Sequence, residues 1–209
     1  NTMSAIPLED YESIQALENV NTSFGEPITN QSVFINTASI TDARVRQAMV
    51  YAIDRGQILE QLLKGYGEVS EGFLSSASPY YDDTVTPLPY DPGKARSLLE
   101  ESGWDKNRTI KFSINSDDST FVNAASVIAA QWASVGIKAE IQTMDINTLM
   151  ANASKGDFDV MAIQYTYPPV DPYADVAWLL GGEGSWTGYG NDKINEALSK
   201  VSLTDDVDQ

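Results

Sequence analysis

The chain of 209 residues contains no cysteine and no histidine. The first absence removes disulfides and thiolate nucleophiles. The second removes Ser-His-Asp triads, and together they remove the usual zinc donor sets. Cations are scarce as well: 13 Lys and Arg stand against 30 Asp and Glu, a formal charge of −17. Nucleic acid is repelled by that balance at any distance salt does not screen, and is not expected as a partner. No apolar run approaches the roughly 20 residues that a membrane span requires. The lack of cysteine suits an exported protein that needs no disulfide staples.

What is present describes an ordinary globular chain, 42% hydrophobic and 21% charged. A chain of this size buries roughly 70% of its unfolded surface, enough for a sizeable core. No internal repeat, low-complexity tract or linker interrupts it, so residues 1–209 read as one domain. Residues 7–17 (PLEDYESIQAL) read as a helix and 31–36 (QSVFIN) as a strand ending on Asn36. In 41–59 (TDARVRQAMVYAIDRGQIL), Val45, Ala48, Met49, Ala52 and Ile53 recur at helical spacing, which predicts one helix capped by Thr41 or Asp42. Residues 65–90 are loop-like, rich in Gly, Ser, Pro and Tyr.

The stretch 90–104 (YDPGKARSLLEESGW) is punctuated at both ends. Asp91 suits an N-cap and Pro92 the first helical position. Ala95, Leu98 and Leu99 share a face, Gly103 ends the helix in a left-handed conformation, and Trp104 packs back on the last turn. From 108 onward the order is strand (108–115), helix (119–136), strand (137–144), helix (146–156) and strand (158–167). A final helix covers about 191–202. In the helix 119–136 the apolar face is Ala125, Ile128, Ala129, Trp132 and Ala133. Strands alternating with helices of this length indicate an α/β sheet covered by helices.

Several of these stretches coincide with one family. FINTASITDARVRQAMVYAIDRGQIL, YDPGKARSLLEESGW, IAAQWASVGIKAEIQ and GDFDVMAIQYTYPPVDPYA occur in the order found in family 5 extracellular solute-binding proteins. These are the oligopeptide- and dipeptide-binding components of ABC importers. The chain resembles their second lobe, from about residue 31 to 200. The resemblance implies a single lobe of a periplasmic-binding-protein-like type II fold, with a mixed sheet covered by helices. It also implies a first lobe absent from these 209 residues, a membrane permease as partner, no cofactor and no enzymatic activity. Location would be extracellular or periplasmic, with a lipoprotein anchor on the full-length protein.

Such a lobe closes on its ligand by hinge motion and holds peptide backbone by strand-like hydrogen bonds. The cleft-facing edge is expected at the ends of strands 31–36 and 158–167 and the loop behind the latter. The candidates are Asn36 and Thr37 at the first strand end, and Tyr165, Thr166, Tyr167 and Asp171 at the other. Asn36 offers donors and an acceptor to a peptide unit, or caps the strand end as a turn residue. Tyr165 and Tyr167 share a strand face that is either cleft or core. Asp171 precedes Pro172 and caps the short helix after it if it does not meet ligand. Peptide-binding members often carry an Asp just after this strand for the peptide's amino group, and Pro168 stands there. Some carry an Arg in the strand for the peptide carboxylate, where this chain has Met161–Ala162–Ile163. These departures leave sugars, opines and longer peptides open beside short peptides, while histidine-held nickel or haem is excluded in this lobe.

Three other readings compete. Asp82/Asp83 and Asp117/Asp118 are adjacent carboxylates of the kind an acidic carbohydrate-active enzyme uses. The Trp178–Trp186–Tyr189 stretch suits a protein-interaction module. NSDDST and GNDK offer oxygen ligands for calcium without the spacing of a twelve-residue calcium loop.

Overall fold

A computed structural model of the chain describes residues 8–25, 29–70, 72, 74, 76–117, 119–166, 173–181 and 185–202. In chain order the elements are α1 (Leu8–Gln15), β1 (Thr29–Ile35), α2 (Ala43–Tyr51), α3 (Arg55–Leu63), α4 (Pro92–Ser102) and β2 (Thr109–Asn115). They continue with α5 (Ser119–Val135), β3 (Lys138–Met144), α6 (Ile146–Lys155), β4 (Val160–Thr166), α7 (Tyr173–Leu180) and α8 (Asp192–Val201). The strands form one mixed sheet in the order β1-β4-β2-β3. β2 is parallel to β3 and to β4, and β1 is antiparallel to β4.

The strand alternation divides the interior in two. Ile110, Phe112 and Ile114 of β2 and Val160 and Ala162 of β4 pack with α2, α4 and α5 on one face. Phe34, Met161 and Ile163 pack with Leu149 and Ala153 of α6 and Leu179 of α7 on the other. β4 lies between two strands and beneath two helical layers, so its run Val160–Ile163 is buried throughout. Near-continuous apolar sequence is what such a strand requires.

Carboxylates and glycines set the helix boundaries. Asp42, Asp54, Asp91 and Asp145 each accept a backbone N–H from the first turn of the helix that follows, as Asn191 does for α8. Each such cap stabilises by about 1 kcal/mol. At the end of α4, Gly103 has φ 68° and the Trp104 amide donates to Leu99 O at 3.0 Å. The Trp104 ring then packs against the core that holds Leu99, with the Arg108 guanidinium 5.5 Å from the ring centroid. The predicted clamp is therefore present.

One predicted helix is two. The periodicity over 41–59 runs unbroken, but α2 ends at Tyr51 and α3 begins at Arg55. Asp54 caps α3 by accepting from Gln57 N, and its own amide donates to Gln131 Oε1 of α5. The indole Nε1 of the fully buried Trp132 donates to Met49 O at 2.9 Å, satisfying a carbonyl of the last turn of α2. Partners on α5 thus stabilise the break, a tertiary effect that apolar spacing does not encode. On α5 itself Ala133 is exposed, and Phe121, Ala124 and Val135 complete the buried face.

Replacing Trp132 with Phe removes the donor to Met49 O while keeping an aromatic ring. We expect a loss of about 2–3 kcal/mol from the orphaned carbonyl and the smaller ring. A lower urea midpoint at unchanged m-value would show it. A second expectation concerns acid. The Thr148 hydroxyl, then its amide, hold the Asp145 carboxyl below its ordinary value of 3.8. A carboxyl lowered in the folded state contributes stability above its unfolded pKa and loses it as pH falls through the folded one. Thr148→Val should raise the Asp145 pKa in an NMR titration and start acid unfolding at higher pH.

Candidate functional site

The parallel strands β3, β2 and β4 finish at one end of the sheet, at Met144, Asn115 and Thr166. Sheets of this kind take ligands outside the carboxyl ends of their strands. Because β1 runs against β4, it is the start of β1 that reaches this end: Thr29 faces Thr166, and Ile35 faces Val160. Asn36 and Thr37 therefore lie at the opposite end, about 20 Å from Thr166 at the usual rise of a strand. The expectation that the ends of both strands form one cleft edge is corrected here. Tyr165 and Thr166 share an end of the sheet; Asn36 and Thr37 do not share it.

Asn36 is 5% exposed and its side chain is fully used. Its Nδ2 donates to Gly156 O and Phe158 O at 3.1 and 2.9 Å, and its Oδ1 accepts from Ala38 N at 3.0 Å. This is the turn-residue role rather than the ligand role. Thr37 donates both its amide and its hydroxyl to Thr187 O, at 2.8 and 2.7 Å. The approach is close enough that a Cβ on Gly188 would sit 3.2 Å from Thr37 Oγ1, at a φ of 64° that favours glycine. Beside them, Asp159 accepts from Ser39 Oγ, from Arg108 Nη2 and from the Lys111 amide. Arg108 also donates to Ser39 O. These contacts tie the loop after β1 to the starts of β2 and β4.

The carboxyl end is built differently. Thr29 and Thr166 join through their hydroxyls at 3.1 Å, and both are exposed. The half-buried Tyr165 donates its hydroxyl to Asp175 in the first turn of α7. Its ring stacks on Trp178 with centroids 6.3 Å apart and planes 19° apart. Trp178 meets Trp186 edge-on at 3.9 Å, and Trp186 meets Phe34 edge-on at 5.9 Å, so the aromatic row runs back from this end toward Thr37. An aromatic wall with a carboxylate at its rim is suited to stacking and to accepting hydrogen bonds. Asp117, Asp145 and Asp175 belong to this end, and among the described residues none of the three forms an ion pair. The cations Arg108 and Lys111 sit at the other end, paired with Asp159 and Asp157.

Tyr167 and Asp171 lie outside the described residues. Asp175 was not singled out in the sequence; its signal was a carboxylate in the first turn of a short helix, close behind a strand. Met161, Ala162 and Ile163, where some relatives carry an arginine, are core residues. Among the described residues no group of three Asp or Glu side chains is arranged to hold a metal ion. Asp82 accepts from the hydroxyl and amide of Thr84, which hold its carboxyl below the usual value. No described helix is long and apolar enough to cross a membrane.

This layered arrangement is one α/β lobe of the type II periplasmic-binding-protein kind. Over 97% of its length the chain superposes on an ABC transporter substrate-binding protein, CtaP, from Listeria monocytogenes, with a TM-score of 0.87, 21% identity and 43% of that chain covered. Over 98% it superposes on the oligopeptide-binding protein AppA from Bacillus subtilis, solved with a nonapeptide, with a TM-score of 0.86, 21% identity and 44% covered. The family model for bacterial extracellular solute-binding proteins, family 5, matches residues 1–187, and the chain belongs to that family. It is 29% identical over 172 residues to a di/tripeptide-binding protein of Pseudomonas aeruginosa, covering 77% of this chain and 32% of that protein. To the nickel-binding periplasmic protein of Escherichia coli it is 25% identical over 183 residues, covering 81% and 35%. The chain thus spans about a third of the length of the curated relatives it matches.

Asn36→Ala leaves two carbonyls and one amide without partners. We expect it to cost about 2–3 kcal/mol of folding stability, read as a lower urea midpoint, and to leave the Tyr165–Trp178 stacking signature in near-UV circular dichroism unchanged.

Proposed function

We propose that the chain is one capture lobe of an ABC importer's solute-binding protein, and that it takes oligopeptides or a related small solute at the carboxyl end of its sheet. Its family membership supports the class. The observation that carries the placement is the Tyr165–Asp175–Trp178 assembly, the half-buried aromatic and carboxylate group at that end. Tyr165 and Thr166 are retained as ligand candidates, Tyr167 and Asp171 remain proposals from the sequence, and Trp178 and Asp175 join them. Asn36 and Thr37 act at a distance, by holding the far end of β1. Ligand is enclosed when a first lobe, carried elsewhere on the same polypeptide, closes over this end. The membrane permease then receives the solute, and a lipid anchor keeps the protein at an outer membrane surface. No bond of the solute is broken in this scheme.

The relatives' names span di- and tripeptides, nickel, haem and glutathione. Ligand choice in this fold therefore follows side chains at the rim and not the lobe's architecture. No histidine in these 209 residues supplies an imidazole to nickel or iron. Peptide is favoured over sugar by the peptide-binding relatives of the chain and by the exposure of the strand ends at Thr29 and Thr166, where an extended backbone can lie.

Native mass spectrometry of the full-length protein offered a mixture of tri- to nonapeptides and oligosaccharides tests the reading. Retention of peptide is the expected result; retention of sugar alone, or turnover of either, overturns it. Trp178→Ala should weaken the retained ligand about tenfold or more, the effect of about 1.4 kcal/mol. Ser39→Ala, at the other end of the sheet, should leave the dissociation constant within about twofold. Titration calorimetry on both variants reads the difference.

A further inference from the structure

Arg55, the first residue of α3, carries a half-buried guanidinium that forms no ion pair among the described residues. Its Nη1 donates to Ser70 O at 3.0 Å and its Nη2 to Leu88 O at 2.9 Å. A planar fork of N–H groups is the side chain suited to join two carbonyls from separate segments. Residues 71–87 therefore leave and return at one guanidinium, in the manner of a closed Ω-loop. The return is fixed a second time where the Asp91 amide donates to Tyr51 O at 2.8 Å.

Both sides of this loop reach α7. Leu74 packs against the core that holds Leu179, the core on which Tyr165, Trp178 and Trp186 also pack. Leu88 lines the groove beside β1 together with Leu179 and Leu180. The helix itself has only eight residues, and Leu179 is its one buried side chain. A helix that short does not hold its own place in water; what packs on it does. It nevertheless carries Asp175 and Trp178, the two side chains that meet Tyr165 at the carboxyl end of the sheet.

We infer that Arg55 is a positioning residue for the proposed ligand site: by closing residues 71–87 into a loop it seats α7, and so fixes Asp175 and Trp178 against Tyr165. The inference deepens the proposed function and rests on that reading for the ligand, but not for the contacts that lead from Arg55 to α7. Arg44 supplies the contrast. Its guanidinium also joins separate segments, donating to Asp42 and to Glu101 O, but it does so at the start of α2 and the end of α4. That tie closes no loop onto α7.

Arg55→Met in the full-length protein, which keeps a long side chain without donors, tests it against Arg44→Met. Without ligand, the Ala177, Trp178, Leu179 and Leu180 amides should exchange about tenfold faster in Arg55→Met than in the wild type, and within about twofold of the wild type in Arg44→Met. With the tri- to nonapeptide mixture followed by native mass spectrometry, the half-saturating concentration of each retained peptide should rise about tenfold in Arg55→Met and stay within about twofold in Arg44→Met. Arg55→Lys, which donates to one carbonyl at a time, should fall between the wild type and Arg55→Met in both measurements, and it carries the comparison if Arg55→Met does not fold. Equal α7 exchange in the Arg55 and Arg44 variants overturns the inference. Faster α7 exchange with unchanged peptide retention overturns it as well, since Arg55 then supports the fold and not the site. Peptide retained equally by the wild type and Arg55→Met thus defeats this inference alone, whereas a wild type that retains no peptide defeats the proposed function and the inference with it.

Discussion

The reversed pairing of β1 against β4 is the constraint on which the rest of the lobe depends. It makes β4 a central strand, buried on both faces and both edges. It brings the start of β1 to the end of the sheet where the parallel strands finish, and sends Asn36 and Thr37 to the other. The buried Asn36 amide and the Asp159 carboxylate lock that register, because each satisfies groups from separate segments at once. A slip by one residue would move Phe34 to the wrong core and leave those groups unpaired.

From that pairing follows a division of labour between the two ends. At the amino end of the parallel strands, side chains are spent on one another: Asp159 with Ser39, Arg108 and the Lys111 amide, Asn36 with Gly156 and Phe158. At the carboxyl end, the aromatic surface of Tyr165 and Trp178 is half exposed. The α7 helix belongs to both worlds. Leu179 anchors it in the core, while Asp175 and Trp178 meet Tyr165 above.

Much of this was legible in the amino acids. Helix starts at Asp42 and Asp91 and the stop at Gly103 are chemical events within a few residues, and they appear where the sequence places them. The alternation of β2 and the order of strands and helices from residue 108 gave the α/β layer. Strand direction was not legible. QSVFIN reads alike in either orientation, and only its long-range partner decides which end lies beside the carboxyl ends of the parallel strands. The break between α2 and α3 was hidden for a similar reason: Gln131 and Trp132, far along the chain, supply the hydrogen bonds that stabilise it. Asp175 escaped notice because a carboxylate in a first helical turn is common, and the tyrosine hydroxyl that distinguishes it arrives through tertiary packing.

The distribution of ion pairs has an electrostatic meaning. Arg108 and Lys111 are paired where they sit, with Asp159 and Asp157. Among the described residues Asp117, Asp145 and Asp175 form no ion pair at the carboxyl end of the sheet, and their potential extends into solvent over about one Debye length of 8–10 Å. A positive group near that end of the sheet is attracted over this distance and a negative one repelled. That end of the sheet therefore distinguishes the sign of a charge at a distance where shape has no influence.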